Sequence, residues 1–476
     1  MTALQIREPI EMTGPANGSI PTFARRPSRA ELIARGEGLR NKCPRRAHAI
    51  WQAPANRPDP VQLVKEGDKG RIPQLIPLRH GRMIESPFTY YRGAALAMAV
   101  DLANLPTTGV RVQACGDAHL GNFRIFATPE RRAIFDIHDL DETLPAPWEW
   151  DVKRLATSFI IAARNNGLSE KRAKEAVLTC VHSYRERMAE LSEMRSLDVW
   201  YHSLDADKLV DEIKDSETRG RAKKRLANVK ALTALEYDFP KLADNASESP
   251  TIRDNHPTIY HWHEHGSDEF TASVREGFAL YRDSLQDDKR LLLDRYEFKD
   301  ITIKVVGVGS VGTFCSIILL MAGERDPLFL QVKQASASVL EPYAGKSAYA
   351  NNGQRVVEGH RLMQSASDVF LGWTAGRFGR HFYIRQLRDA KIKFAIETFG
   401  SAEIIQFAEW CGWTLARAHA RSGEPAMITG YLGETNTFDQ AIAAFAVAYA
   451  DQSEKDHEAL TMAVRAGKLE AAIERD

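Results

Sequence analysis

The chain has 476 residues with 63 Lys plus Arg and 63 Asp plus Glu, so its formal net charge is zero. This balance argues against proteins that coat nucleic acid or bind acidic membranes through a basic surface. A hydrophobic fraction of 44% and a charged fraction of 26% are typical of globular proteins, and the length suggests two or three structural units. The longest apolar stretch, near residues 317–322, is too short to cross a bilayer. We therefore expect neither a nucleic-acid partner nor a membrane partner.

Cysteine usage favours a reducing compartment. The cysteines are odd in number, widely separated and form no CxxC pair, which also excludes a cysteine-based zinc site. The first residues show no basic segment followed by an apolar one, so the sequence predicts no secretory signal. We expect a cytoplasmic location. The five cysteines are Cys43, Cys115, Cys180, Cys315 and Cys411.

Composition divides the chain into five predicted segments. Residues 1–75 are rich in Pro, Gly, Ser and Arg and predict a partly irregular N-terminal arm. Residues 76–200 combine helical periodicity with two short β-rich pieces, whereas residues 201–295 are highly charged and predict a helical insertion. Residues 296–395 hold a second β-rich block, and residues 396–476 are predicted to be mainly helical. This order indicates an α+β fold.

The first β-rich piece contains the loop Gly116–Asn122. Asp and Asn in a glycine-containing loop are commonly turn formers. However, Asp117 and Asn122 lie five positions apart, which is the spacing of the Asp and Asn in the kinase catalytic loop HRDxxxxN. In that loop the Asp faces the incoming hydroxyl as a base, and the Asn, after a tight turn, faces the metal on the nucleotide phosphates. Gly121 suits the close backbone approach of such a turn.

Four acidic residues fall within seven positions around the end of the next predicted strand. Carboxylates this close repel one another unless a cation or a basic group compensates them, and both flanks of the segment are apolar. A turn directly after a strand is a suitable position for ligands of a divalent metal. The segment predicts a metal site, with a solvated acidic loop as the alternative. The four residues are Asp136, Asp139, Asp141 and Glu142.

Together, CGDAHLGNFRIF and IHDLDETLPAPWEWDVKRLA resemble two segments of aminoglycoside and choline kinase-like phosphotransferases, the catalytic loop GDxHxxN and the metal-binding segment. The resemblance implies a two-lobed, protein-kinase-like fold with ATP and Mg²⁺ as cofactors. It also implies that Asp117, His119 and Asn122 are catalytic, and that Asn122 contributes to the metal site.

In those relatives, a helix beginning DLA follows the metal-binding Asp. Here Asp151 begins DVKRLA and lies 12 positions after Asp139. We therefore align Asp139 with the metal-binding Asp. Asp136 and Asp141 remain alternatives, because this register is defined only to within a residue or two.

A glycine-rich segment, GVGSVG, follows the predicted strand ITIKVV. The pattern GxGxxG occurs both in dinucleotide-binding folds and in kinase nucleotide loops, so the residues that follow it decide between them. They are β-branched and aromatic, then a charged turn, then the strand LFLQVKQA, which predicts a β-hairpin whose last strand carries Lys333. We expect Lys333 to contact nucleotide phosphates. The predicted nucleotide-binding residues are Gly307, Gly309, Ser310, Gly312 and Lys333.

Glu358, on the predicted helix GQRVVEGHRLMQ, is the candidate partner that orients Lys333, as the αC Glu does in kinases. Glu341 is the alternative. His419 lies in the helical segment CGWTLARAHARSG, and we expect it to pack rather than to catalyse.

The order of these motifs is reversed relative to kinase-like enzymes, because the glycine-rich segment begins about 190 residues after the catalytic-loop motif. A circular permutation explains this order, and permutation is tolerated when the old termini lie close together. The stretch RHGRMIESPFTYYRGAA, with the motifs above, also strongly resembles the bacterial domain-of-unknown-function family 2252, over about Arg79 to Asp451. That resemblance implies no established substrate.

The sequence therefore predicts an ATP- and Mg²⁺-dependent, kinase-like phosphotransferase acting on an unidentified hydroxyl of a small molecule or protein. Nucleotidyl transfer by the same residues stays open. One alternative is an NAD(P)-dependent oxidoreductase that uses GVGSVG as a dinucleotide loop, which requires a helix at residues 313–321. A second alternative is a nucleotide-binding regulator without turnover.

One histidine cluster, YHWHEHG, stands apart from these motifs. In an extended conformation His261, His263 and His265 share one face, and such a set can bind zinc. No further ligand is evident nearby, so we favour a structural role for these histidines.

Overall fold

The computed structural model has a mixed α and β architecture with several antiparallel sheets, as the sequence predicts. None of the helices within the described residues is both long and apolar enough to span a membrane. The described residues are 25–213, 216–231, 239–244, 250–262, 266–387 and 391–473.

Within these ranges the strands form one six-stranded sheet, a three-stranded sheet and two strand pairs. In chain order they are β1 (Arg111–Ala114), β2 (Phe123–Ala127), β3 (Ala133–Ile137), β4 (Leu144–Pro147), β5 (Leu204–Asp205), β6 (Ala243–Asp244), β7 (Thr251–Ile252), β8 (Ile259–Tyr260), β9 (Glu297–Lys304), β10 (Cys315–Met321), β11 (Pro327–Ala335), β12 (Gly372–Ala375) and β13 (His381–Gln386).

The helices of the described residues are α1 (Arg29–Leu39), α2 (Pro60–Glu66), α3 (Ile76–Ile84), α4 (Pro87–Gly93), α5 (Ala95–Leu102), α6 (Trp148–Asn165), α7 (Glu170–Glu193), α8 (Ser196–Tyr201), α9 (Ala206–Glu212), α10 (Ser216–Ala231), α11 (Phe239–Leu242), α12 (Asp268–Ser284), α13 (Asp287–Leu293), α14 (Glu341–Ala344), α15 (Asn352–Met363), α16 (Ser401–Ser422), α17 (Pro425–Leu432) and α18 (Thr437–Arg465).

The six-stranded sheet is antiparallel, with the strand order β12-β13-β11-β10-β9-β8. Its central strand β10 is buried along its whole length, because its two faces pack on different hydrophobic clusters. Ile317 and Leu319 belong to the cluster of Phe329, whereas Ile318 and Leu320 belong to the cluster on the other face. Burial on both faces explains why this strand reads as a continuous apolar run. The helix that the oxidoreductase alternative requires at residues 313–321 is therefore absent.

The described residues of the predicted insertion at 201–295 are mainly helical with four short strands, and they are not separate from this sheet. Strand β8 pairs with β9 at the sheet edge. Helix α12 packs on β12, where the Thr374 hydroxyl donates to the Gly277 carbonyl at 2.6 Å. Of the histidine cluster, His261 is 2.8 Å from Asp254, whereas His263 and His265 lie outside the described residues.

The largest hydrophobic core lies in a helical body that includes α6, α7, α16 and α18, with the β1–β4 pair at its edge. Helices α7 and α16 pack closely, since a Cβ on Gly412 would lie 2.0 Å from the Cys180 carbonyl oxygen. The predicted arm at residues 1–75 is more regular than its composition suggests, because α1 packs on α17 and α2 contacts α18. Residues 1–24 of that arm lie outside the described residues.

Two glycines in α1 provide a matched test of this packing. A Cβ on Gly36 would lie 2.0 Å from the Met427 carbonyl oxygen, whereas a Cβ on Gly38 would meet nothing within 4 Å. We expect Gly36→Ala to lower the free energy of unfolding by about 1–3 kcal/mol through overpacking. Gly38→Ala should raise it by up to about 1 kcal/mol, because alanine favours the helix. Urea denaturation measures both, and equal stability of the two variants would contradict close packing of α1 on α17.

Candidate functional site

Strand pairing brings the catalytic-loop motif and the acidic segment together. The first runs from β1 to β2, and the second runs from β3 to β4. Strand β1 pairs with β4, and β2 pairs with β3. The two connecting segments therefore lie side by side at the same end of these strand pairs. The His138 amide donates to the Asn122 carbonyl at 2.8 Å, and a Cβ on Gly116 would lie 2.4 Å from the Glu142 carbonyl oxygen. Gly116 has φ +82°, so both backbone conformation and space require glycine there.

Asp151, at the start of α6, fixes the backbone of the catalytic loop. Its carboxylate accepts hydrogen bonds from the amides of Cys115 at 2.6 Å and Gly116 at 3.0 Å. The buried His419 ring lies 3.1 Å from the same carboxylate and 2.9 Å from the Tyr184 hydroxyl. These contacts give His419 the packing role that the sequence indicates.

Asp117 lies beside a buried arginine that sequence reasoning missed. Arg154 Nε donates to Asp117 Oδ1 at 2.5 Å, and its Nη2 donates to the Tyr91 carbonyl at 3.0 Å. Burial raises the pKa of Asp117 to about 7, against the opposing effect of the Arg154 charge. His119 Nε2 is 3.8 Å from the other oxygen of Asp117, and burial holds the pKa of His119 well below its usual range. No local signal pointed to this contact, because 37 positions separate Arg154 from Asp117 and the helical spacing would instead have paired Arg154 with Asp151.

The two distant motifs meet at Lys333. Lys333 Nζ lies 3.2 Å from Asp139 Oδ1 and 2.6 Å from Asp141 Oδ2, although 194 and 192 positions separate these residues in the chain. The Tyr383 hydroxyl donates to the other oxygen of Asp141 at 2.5 Å. Burial alone would raise the pKa of Asp139, but the charges of Lys333 and Arg385 hold that pKa well below its usual range. Burial alone would lower the pKa of Lys333, but the charges of the two carboxylates hold that pKa well above its usual range.

Two predicted residues have different partners. Glu358 pairs with Arg361 at 2.8 Å, so the role of orienting Lys333 falls to Asp139 and Asp141 instead. Asp136 is fully buried, ion-paired with Arg417, and accepts hydrogen bonds from the amide and hydroxyl of Ser365 at 2.8 Å each. Strand β3 directs this carboxylate into the interior, which makes Asp136 a structural residue rather than a metal ligand.

Glu341, the alternative partner, begins the short helix α14. It lies near Arg355, and its Oε1 is buried without a hydrogen-bond partner. No ion pair joins Glu341 to Lys333 within the described chain.

A cavity of about 1080 Å³ lies between the six-stranded sheet and the helical body. Three of the predicted site residues, Asp136, Gly312 and Glu358, do not line it. The predicted residues that line it are Asp117, His119, Asn122, Asp139, Asp141, Gly307, Gly309, Ser310 and Lys333.

The glycine-rich loop is held from the N-terminal side of the chain. The Ile72 amide donates to the Gly312 carbonyl at 2.7 Å, and Arg71 Nη1 donates to the Val311 carbonyl at 2.5 Å. Arg82 Nη1 donates to the Gly307 carbonyl at 2.6 Å. These arginines precede the loop by more than 200 residues, so its local sequence carried no signal for them.

The residues at the cavity suit Mg²⁺ better than a metal that requires a complete protein cage. No group of three or more His, Cys, Asp or Glu within the described ranges could hold a metal ion. Mg²⁺ keeps several waters and needs only one or two carboxylates plus substrate phosphates. Asp139, kept ionised by Lys333, and Asn122 are the residues that could hold it.

Comparison with known proteins gives one match. The model of a family described as "Uncharacterized protein conserved in bacteria (DUF2252)" matches residues 71–463. The chain belongs to this family. Neither the curated proteins nor the solved structures contain a match. For this DUF2252 protein, the matched region includes both loops of the cavity and Lys333.

The buried ion pairs of Lys333 make a testable contribution to stability. In Lys333→Met, two partly buried carboxylates, with side chains 29% and 28% exposed, lose their counter-ion, so we expect the free energy of unfolding to fall by about 2–3 kcal/mol near neutral pH. Burial and the charge of Asp139 already raise the pKa of Asp141, and without Lys333 the pKa of Asp139 should also rise above its unfolded value. Protonation then relieves the penalty, and the loss should shrink toward about pH 5.

Urea denaturation at about pH 8 and about pH 5 measures this difference. Lys299→Met is the matched control, because Lys299 pairs at 2.8 Å with Glu297, whose side chain is 73% exposed. Loss of such a surface pair should cost no more than about 1 kcal/mol. A pH-independent loss in Lys333→Met would contradict the buried ion pair.

Proposed function

We propose that this DUF2252 protein is an ATP- and Mg²⁺-dependent phosphotransferase with a circularly permuted, protein-kinase-like fold. The observation that carries the proposal is the contact of Lys333 with Asp139 and Asp141 in a cavity that Asp117 and Asn122 also line. A lysine for phosphates, a carboxylate for metal and a carboxylate for the acceptor are the parts that phosphoryl transfer requires. These residues come from two segments that are far apart in the sequence and that line the same cavity.

The glycine-rich hairpin supports the same assignment. Strands β9, β10 and β11 are consecutive antiparallel neighbours, and Cys315 at the start of β10 is directly opposite Lys333. The glycine-rich turn therefore lies at the same end of the sheet as the lysine. This is the relation between glycine-rich loop and lysine in kinases, and it disfavours the oxidoreductase alternative, which needs a helix in place of β10.

Each residue then has a defined role in the transfer. Asp117 accepts the proton of the acceptor hydroxyl as its oxygen bonds to the γ-phosphorus. The bond from the γ-phosphorus to the bridging oxygen breaks, and ADP leaves with that electron pair. Lys333 binds the phosphate oxygens, and Asn122 and Asp139 would hold Mg²⁺, which would neutralise charge on the phosphates. Arg154 is a positioning residue, because it contacts Asp117.

Ligand-dependent stability tests nucleotide and metal together. We expect ATP or GTP with Mg²⁺ to raise the melting temperature, and NAD or NADP to leave it unchanged, because a bound ligand stabilises the folded state by mass action. Stabilisation by NAD or NADP alone would support the oxidoreductase instead. Stabilisation by Mg·ATP without any ADP release would indicate a nucleotide-binding regulator.

Asp139→Asn should abolish ADP release and leave the fold intact, because it removes the charge that holds the metal. Asp283→Asn, which changes an aspartate with a 69% exposed side chain, is the control and should behave as wild type. Circular dichroism checks the fold of both variants. Unchanged ADP release in Asp139→Asn would remove Asp139 from the site.

The pKa of Asp117 predicts the pH profile of turnover. A base with a pKa of about 7 is protonated below that value, so the rate should rise with pH and level off above about 7. Asp117→Asn should lower turnover by about 10²–10⁴-fold and remove this rise, because it removes the base. ADP release measured across the pH range gives the profile. A pH-independent rate in the wild type would exclude Asp117 as the base.

A further inference from the structure

Two arginines in the cavity make neither an ion pair nor a side-chain hydrogen bond with the rest of the described chain. They are Arg92, at the end of α4, and Arg124, on β2. The Nε atoms of both are shielded from solvent and have no hydrogen-bond partner. The guanidinium carbon of Arg92 lies 5.8 Å from the centre of the Phe88 ring. Both side chains are partly buried, and arginines removed this far from water are normally paired, so their remaining N–H donors can bind a ligand.

Both arginines lie on the catalytic-loop side of the cavity. A Cβ on Gly121 would lie 3.7 Å from Arg92 Nε and 3.1 Å from the His119 ring, which places Arg92 against the loop that carries Asp117. Arg124 follows Asn122 by two positions, on the strand that leaves the same loop. Lys333, by contrast, is already held by two carboxylates on the other side.

Additional positive charge surrounds the two arginines. Ile392 pairs with Ile125 next to β2, since the Ile392 amide donates to the Ile125 carbonyl at 2.8 Å, and Lys393 follows it into the cavity wall. Burial lowers the pKa of Lys393, and the charges of Arg92 and Arg124 lower it further.

The acidic groups that face the cluster are few or already engaged. Arg92 is close enough to feel the charges of Asp117, Glu397, Asp139 and Glu85, and Arg124 feels that of Asp139. Asp117 is paired with Arg154, and Asp139 is paired with Lys333. Glu397 and Glu85 are the remaining acidic groups near Arg92, against the three positive groups Arg92, Arg124 and Lys393.

We propose that Arg92 and Arg124 bind an oxyanion on the phosphoryl acceptor, so that the acceptor is a hydroxyl compound carrying a phosphate or a carboxylate. The assignment of this ligand as the phosphoryl acceptor rests on the proposed function. Guanidinium groups match the paired oxygens of both anions, and their charge-assisted hydrogen bonds are stronger in a shielded cavity. The anion is held beside Asp117, which brings a hydroxyl of the same molecule to the base.

Calorimetric titration of the full-length chain at constant ionic strength tests the inference. The probes are glycerol 3-phosphate, glycerate and uncharged glycerol, each titrated with and without saturating Mg·ADP. We expect at least one anionic probe to bind in both conditions and glycerol to bind in neither. Which anionic probe binds distinguishes a phosphate from a carboxylate.

Arg92→Gln and Arg124→Gln should each weaken binding of the anionic probe at least tenfold while the melting-temperature shift by Mg·ATP is kept. Because neither guanidinium makes an ion pair with another described residue, both variants should fold. Arg172→Gln is the control, since Arg172 has a 48% exposed side chain that pairs with Glu175, and it should bind as wild type.

Two results would overturn the inference. One is failure of both anionic probes to bind the wild type. The other is loss of the Mg·ATP shift in Arg92→Gln and Arg124→Gln, which would assign these arginines to the nucleotide. If Mg·ATP does not bind the wild type but the anionic probe binds through the two arginines, the oxyanion site stands and the phosphotransferase proposal fails.

Discussion

The buried contact of Lys333 with Asp139 and Asp141 is the interaction on which the site depends. It joins strand β11 of the six-stranded sheet to the acidic segment between β3 and β4, at the wall of the cavity. Lys333 is almost fully buried, whereas the Asp139 and Asp141 side chains are 29% and 28% exposed, and the two carboxylates compensate an ammonium group that would otherwise have a large desolvation cost. The contact therefore fixes the relative placement of sheet and body, and it keeps Asp139 ionised in a shielded environment.

The other charged residues of the cavity form two groups. On one side, a lysine satisfied by two carboxylates faces the glycine-rich loop. On the other side, Asp117 with its raised pKa lies among Arg92, Arg124 and Arg154. Segments before α4 hold the glycine-rich loop, so the N-terminal part of the chain belongs to the site. The arrangement gives separate places for a phosphate chain with its metal and for an anionic hydroxyl compound.

Several features followed from local sequence because local physics determines them. The strand at β10 was predictable, since β-branched residues followed by a charged turn favour a hairpin over a helix. The spacing of Asp117 and Asn122 was visible because both belong to one tight loop. In contrast, Glu358 was assigned by analogy, and in the structure it pairs with Arg361 on its own helix. Arg154 was missed because a lysine-arginine pair on an amphipathic helix normally faces solvent.

The sequence by itself determined the mixed α and β class, the hairpin and the two polar loops, because these depend on periodicity, turn residues and spacing within short segments. Only the tertiary structure decided which carboxylates meet Lys333 and that Asp136 points into the interior. It also decided that Arg92 and Arg124 have no ion-pair partner at the cavity among the described residues. Partner choice among charged groups depends on distance and burial, and residues nearly 200 positions apart acquire both only when the chain folds.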